Sequence, residues 1–328
     1  MELLPIYHPR IPRPIAEICG SEEMQRLRQV GMNCGCEYTN FTHFRHIGAY
    51  SRYTHSLGVA LIVYHFTGSL KQSIAGLLHD ISTPVFAHVI DFLHNDHMNQ
   101  EYTEGRTEDI IRSSAAINRV LDENGISLGE VCDYHIYPIA DNSAPQLCAD
   151  RLEYTLGNLV NYSFGTEEDA GRIYSAVTAG KNESGSDELI FTDAVAAHDF
   201  ARFSLECSKV YVCDEDRYSM QMLSELIGSA IRAGVISEDD LYTTEPQVIE
   251  KLCSDSEFSR RWSRYTSYST ILKEAISPGS DSRVIYAKKR YTDPYIAGAG
   301  RVSSVFPDYR ESLDRFLGAP QNYPICGI

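Results

Sequence analysis

The sequence predicts an all-α helical core with a small C-terminal α+β extension, and three observations carry that reading. Apolar residues recur at helical spacing over most of the 328 residues. Helix starts are signalled by a capping residue ahead of the apolar stripe, as at Ser21–Glu22–Glu23 and Thr192–Asp193. Period-two alternation is convincing only in RVIYAKKRY, residues 283–291. No internal repeat or low-complexity tract is present.

Taken in order, Ser21 opens a helix whose acidic first turn suits the helix dipole and whose stripe is Met24 and Leu27. A loop is expected from about Gly31 to Tyr50, then a helix from about Tyr53 to Phe66, apolar all round and hence buried, stopped by Gly68. The next helix carries Ile74, Leu77 and Leu78 up to His79–Asp80, and Pro84 breaks or restarts the chain. Further helices are expected around 85–94, 104–115 and 145–161, from Thr192–Asp193 to about Lys209, and from Asp216 to Ala233. The polar GKNESGSDEL at 180–189 reads as a surface loop, and SPGSDS at 277–282 as the connector before the strand. That strand puts Lys288 and Arg290 on one face and Lys289 and Tyr291 on the other. The basic cluster either reaches a cleft and holds an anionic substrate, or neutralises acidic surface or an oligomer contact. Two regions are expected, a helical core over 1–210 and a helical, small-β region over 211–328 packed on it.

Composition narrows the partners. Lys and Arg number 29 against 45 Asp and Glu, a formal charge of −16. Such a surface repels nucleic acid and anionic membranes unless a local basic patch overrides it, but one cleft can still take a phosphorylated small molecule. The nine cysteines include no C-x-x-C pair, the N-terminal stretch has no apolar signal core, and no run nears the roughly 18 apolar residues of a membrane span. Reduced thiols in a cytoplasmic protein is the simplest expectation.

Residues 52–97 hold six of the eleven histidines: His55, His65, His79, His88, His94 and His97. A histidine-dense, apolar helical region is a metal-site candidate. His79 and Asp80 directly follow the buried stripe, where an ionised Asp is expensive without a cation or donor to compensate it. The competing reading is a helix end whose Asp caps the next helix, with His65, His94 and His97 solvated. His94 and His97 could otherwise host a second metal.

Three strings make the pattern more specific. RYTHSLGVA (52–60), LLHDISTPVFAH (77–88) and CADRLEY (148–154) resemble the HD superfamily, whose signature is H…HD…D on helices around one metal. The resemblance places the ligands at His55, His79, Asp80 and Asp150. MQRLRQVG at 24–31 is similar to the helix before the signature in deoxynucleoside triphosphate triphosphohydrolases, so the likeness runs from about residue 21 to 160. It implies one divalent ion (Mn, Fe, Co, Ni, Zn or Mg) and a phosphohydrolase acting on a nucleotide or related phosphate ester through hydroxide on that ion. It also implies substrate contacts from Arg52, Arg151, Tyr154 and Asn158, the last standing where the family carries Asp. Arg52 lies three residues before His55 and so shares its helix face; a surface ion pair is the alternative. Tyr154 has a plain alternative as a core aromatic.

Two departures bear on the chemistry. Thr83 and Thr103 stand where the triphosphohydrolases carry histidines that support proton donation, which leaves His88 and Glu104 as the catalytic pair. Hence two other readings: a binding module that senses nucleotide without turnover, and a scaffold with a vestigial metal. A homo-oligomer is expected by analogy alone.

Overall fold

The structure is a computed structural model that describes residues 3–45, 47–94, 105–273 and 281–328. His97, Thr103, Glu104 and most of the SPGSDS connector lie outside the described residues.

The chain is mostly helical. Its first half carries α1 (Leu4–Tyr7), α2 (Arg13–Cys19), α3 (Glu22–Arg26), α4 (Arg52–Thr67), α5 (Leu70–Leu78), α6 (Val89–Leu93), α7 (Thr107–Ser113), α8 (Ala115–Glu123) and α9 (Ala149–Asn161). After α10 (Glu167–Ser175) come strands β1 (Val177–Lys181) and β2 (Asp187–Phe191), then α11 (Ala194–Val210), α12 (Asp214–Arg232), α13 (Glu245–Ser254) and α14 (Ser256–Ser267). The chain ends with β3 (Ile271–Leu272), β4 (Arg283–Val284), β5 (Tyr295–Ile296), β6 (Gly300–Arg301), α15 (Val302–Val305), α16 (Pro307–Gly318) and β7 (Pro324–Gly327). Among the described residues no helix is long and apolar enough to cross a membrane.

Helix α4 is the axis of the fold. Ser51 caps its start by accepting the amide of Thr54, and Gly68 ends it in the left-handed region at φ 62°. Ser69 then caps α5 by accepting the amide of Gln72, so α5 folds straight back along α4. The all-round apolar surface of α4 is satisfied on every side, by α1, α3, α5 and α9. Its approach to α9 is close. A Cβ on Gly58 would lie 2.6 Å from Glu153, and one on Gly157 would lie 2.4 Å from the Tyr50 hydroxyl.

Two hydrophobic cores result. The first surrounds α4 and takes in Leu57, Leu61, Leu78, Leu152 and Leu156, but also Val302, Leu313 and Phe316 from the chain's end. The second joins Phe41, Phe86 and Phe92 to Leu223, Ile227, Trp262 and Ile325. Both draw residues from each side of position 210.

Several element boundaries differ from expectation. The stretch expected as one helix over 104–115 is two, because Ser114 leaves helical geometry and accepts the amide of Ile117 to start α8. Phe86 and Ala87 hold positive φ after Pro84, so α6 begins only at Val89. Pro145 delays α9 until Cys148 caps it. The polar segment expected as a loop is a hairpin: β1 and β2 pair antiparallel from Val177↔Phe191 to Lys181↔Asp187, around a turn with Gly185 at φ 80°. β2 also pairs parallel with β5, and β5 antiparallel with β6. Of the strand expected over 283–291, only Arg283–Val284 pairs, with β7. Residues 285–291 form no strand and are held by side chains instead.

Candidate metal centre and cavity

The four residues read from the sequence converge. His55 sits in the first turn of α4, His79 caps the end of α5, Asp80 follows it, and Asp150 is in the first turn of α9. Nε2 of His55 lies 3.0 Å from Oδ1 of Asp150 and 3.9 Å from Oδ2 of Asp80. Nε2 of His79 lies 3.7 Å and 3.5 Å from the same two oxygens. Ligands about 2.1 Å from one ion stand about 3.0–3.4 Å apart in octahedral or tetrahedral arrangement, so this spacing needs little adjustment to close on a cation.

The orientation of each donor is built in. Nδ1 of His55 lies 2.6 Å from Oε2 of Glu153, and Nδ1 of His79 lies 2.7 Å from the carbonyl of Gly76. Each ring donates from Nδ1 and turns Nε2 toward the carboxylates, the arrangement that prepares imidazole for a metal. Glu153 also accepts the Tyr50 hydroxyl at 2.5 Å and is buried. Asp80 is steadied from its other side. Oδ1 accepts the Thr83 hydroxyl at 2.7 Å, and Arg52 Nη1 donates to Oδ2 at 3.0 Å.

Electrostatics point the same way. Burial disfavours charge on Asp80 and Asp150, yet both stay ionised. Arg52 and the two imidazoles hold Asp80 well below the usual carboxylate range, and His55 and His79 bring Asp150 to about 2. Burial likewise opposes charge on His55, but the carboxylates of Asp150 and Glu153 lift it to about 10. A group of carboxylates that strongly attracts a proton onto a buried imidazole is one that a cation satisfies equally well. A second acidic group, Asp141, Cys148 and Asp150, lies beside it. Cys148 is tied to Asp141 at 3.3 Å, and burial raises its thiol far above the usual value, so its sulphur stays protonated.

The donors open on a cavity of about 200 Å³. Arg52, Tyr154 and Asn158 line it, as do His88, Lys288 and Arg290. Tyr134, Tyr162, Tyr211, Asn33 and Asp216 complete much of the wall. Asn158 donates to the Tyr211 hydroxyl at 2.7 Å. His88 bonds Asp91 through Nδ1 at 2.8 Å, and burial lowers its pKa further than Asp91 can restore it. Burial pushes Asp216 up to about 8, although the Cys36 thiol lies 3.7 Å from it. Arg151 points elsewhere. Its guanidinium bonds the carbonyls of Gln146 and Asn142 and pairs with Asp141 at 3.2 Å. His94 ends α6 and is not among the cavity residues.

Sequence reasoning missed Glu153, Tyr50 and Asp216. Glu153 alone left a signal, since it stands three residues after Asp150 and shares its helix face.

No family model matches the chain. The chain is similar to the uncharacterized protein YdhJ of Bacillus subtilis, 28% identical over 205 residues, which are 62% of this chain and 61% of that one. It is also similar to the metal-dependent phosphohydrolase cns2 of Cordyceps militaris, 27% identical over 275 residues, 80% of this chain and 70% of that protein. Among solved structures, a hypothetical protein from Aquifex aeolicus, crystallised at 2.0 Å resolution, superposes with a TM-score of 0.64. That pair covers 96% of this chain and 92% of the other at 16% identity, a likeness of fold alone. One of these relatives is thus named a metal-dependent phosphohydrolase, and this chain carries a buried His/Asp group that could hold a metal.

Proposed function

We propose that this chain is a metal-dependent phosphohydrolase acting on a nucleotide or a related phosphate ester, with one divalent ion on His55, His79, Asp80 and Asp150. The observation that carries the reading is the pair of Nε2 atoms turned by Glu153 and Gly76 toward two ionised carboxylates, all within 3.9 Å. The similarity to cns2 supports the reaction class. The ion, when bound, polarises a phosphoryl oxygen and makes water a nucleophile near neutral pH.

The remaining roles fall to side chains. Arg52 and Thr83 hold the Asp80 carboxylate in place. Tyr154 and Asn158 offer a ring face and an amide to the body of the substrate. His88 is neutral near pH 7, so its Nε2 accepts a proton more readily than it supplies one. Glu104, which the resemblance pairs with His88 as the catalytic pair, lies outside the described residues. The narrower reading, hydrolysis of deoxynucleoside triphosphates, rests on the resemblance of residues 21–160.

Elemental analysis of the purified protein and a phosphate-release panel of nucleotides and phosphomonoesters, with Mn and other divalent ions, test this. One metal per chain and release abolished by Asp80→Ala are expected. A metal-loaded protein that releases nothing from any panel member would refute it. One observation favours a second reading, a nucleotide sensor: Thr83 is committed to Asp80 and His88 is neutral, so the described residues show no ready acid at either position. Nucleotide would then raise the melting temperature with no turnover.

A further inference from the structure

One row of side chains measures the length of the cavity. Asp150, Tyr154, Asn158 and Tyr162 stand four residues apart along α9 and just past its end, so they share one face, and all four line the cavity. Asp150 belongs to the metal centre. Tyr162 lies twelve residues further on, about 18 Å of helix rise away. A molecule with its phosphate at the first end meets the second only through a head group remote from that phosphate.

The far end is polar and firmly built. The Tyr162 hydroxyl donates to Oδ1 of Asn33 at 2.8 Å, which leaves the Asn33 amide nitrogen without a hydrogen-bond partner among the described residues. The loop that carries Asn33 is tied to the start of α4. Gly31 bridges Ser51, the Met32 amide donates to the carbonyl of Tyr50 at 3.0 Å, and the Asn33 carbonyl accepts the amide of Cys36 at 2.9 Å. Asp216 lines the cavity from the first turn of α12. Of the charged groups around Tyr162, it is the one felt most strongly at that hydroxyl.

Little satisfies Asp216 within the chain. Among the described residues its side chain accepts only from the Cys36 thiol, a weak donor 3.7 Å from Oδ1. Arg217, its neighbour in sequence, turns away to donate to the carbonyl of Ile285 and to pair with Asp214. Burial raises the Asp216 carboxyl to about 8, so near pH 7 it is mainly the acid and offers an O–H donor beside an acceptor. Hydrogen-bonding capacity left unmet away from water is costly, and a ligand that meets it gains accordingly.

Between the two ends the wall is flat and apolar. Tyr154 meets Tyr211 edge to face at 6.3 Å, the Tyr162 ring lies 6.4 Å from Tyr211, and Met220, one turn after Asp216, joins them. Ring faces leading to a donor–acceptor group suit a flat heterocycle with a polar edge.

We propose that Asp216 and Asn33 are the specificity-determining residues of this cavity, reading the edge of a neutral heterocycle that carries a donor beside an acceptor, as a nucleobase does. The proposal rests on the phosphohydrolase reading and deepens it by naming the residues that choose the head group.

The metal-loaded full chain tests it, with the nucleotide turned over fastest in the panel set against the corresponding ribose phosphate without a base. The wild type is expected to favour the nucleotide by about tenfold or more in kcat/KM. Asp216→Leu should lower that preference by about ten- to a hundredfold, the loss on removing one partner of a buried hydrogen bond, chiefly through KM. Asp216→Asn, which keeps a donor beside an acceptor, should recover most of it. Asn33→Asp, which keeps the acceptor for Tyr162 and removes the amide donor, should lower it as well. Calorimetry with free nucleosides, which carry no phosphate, should show the same order of affinities. A wild type that turns over no nucleotide faster than the baseless ester overturns the subsite, as does a folded Asp216→Leu variant that keeps the preference. Should Asp216→Leu fail to fold by its melting curve, the wild-type preference and Asn33→Asp decide. A preference for phosphoethanolamine over every nucleotide, lost in Asp216→Asn, would mean that an ionised Asp216 holds an ammonium group, and would also overturn it. Nucleoside binding that depends on Asp216 in a protein without turnover would instead sink the hydrolase reading and leave the subsite standing.

Discussion

The carboxylate of Glu153 lies 2.6 Å from Nδ1 of His55, and both side chains are almost completely buried. Glu153 does not need to touch an ion to decide whether one binds, because it sets which imidazole nitrogen carries the proton. Partners of this kind change metal affinity by roughly 10–100-fold when removed. Glu153→Ala is expected to weaken metal binding within that range, and Glu153→Gln, which keeps an acceptor without the charge, by about tenfold or less. Competition with a chelator of known affinity measures both. Unchanged affinity in Glu153→Ala would show that His55 is oriented by something else.

Gly58 is where α4 makes room for that carboxylate. Its missing Cβ would lie 2.6 Å from both Cγ and Oε1 of Glu153, closer than real contacts allow. Gly58→Ala should cost about 1–3 kcal/mol by overpacking, less any gain in helix propensity, and weaken metal binding by displacing Glu153. Denaturant titration and the same chelator assay read the two effects. A stable variant with normal metal content would mean that the two helices part freely.

Thr83 donates to Asp80 at 2.7 Å, a bond from a hydroxyl to an ionised acceptor. Thr83→Val should cost about 1.5–3 kcal/mol and lower metal occupancy, while Thr83→Ser should preserve both. Equal behaviour of the two variants would leave the hydroxyl without a role.

Glu37 gives a pH dependence away from the metal. Burial and then repulsion from Glu245 push its carboxyl up to about 8, against about 4.3 in an unfolded chain. One of its oxygens is buried without a hydrogen-bond partner. The folded state therefore binds the proton more tightly than the unfolded state. This contribution to stability is complete below about pH 4.3 and is lost as pH rises toward about 8. Unfolding midpoints across pH 5–8 should fall more steeply for the wild type than for Glu37→Gln. Parallel curves would refute the assignment.

The convergence of His55, His79, Asp80 and Asp150 was legible through the resemblance of three strings, whereas local logic alone offered only His79–Asp80. A run of apolar residues ending in His79–Asp80 announces a buried charge wherever the chain goes next. The segment 285–291 was only half legible. The alternation in RVIYAKKRY fixes which side chains share a face, and those faces are realised at Lys288, Lys289 and Arg290. Alternation does not say whether a neighbouring strand is available, and past Val284 none pairs with it. The hairpin around Gly185 was hidden for the opposite reason. Its polar tip dominates the sequence, while the buried run Leu189–Phe191 is too short to announce a strand by itself. Glu153 and Tyr50 are about a hundred positions apart in the chain, and only the packing of α4 on α9 brings them together.

The cavity is bounded by two independently packed interiors. One anchors the helices that bring the donors together; the other carries α12 with Asp216 and Met220, and its Ile285 begins the segment that brings Lys288 and Arg290 to the cavity. Substitutions that reshape the second interior can alter which compound is accepted without moving a single donor. Divergence among relatives is therefore expected to gather in the second interior and its part of the cavity wall rather than around His55, His79, Asp80 and Asp150.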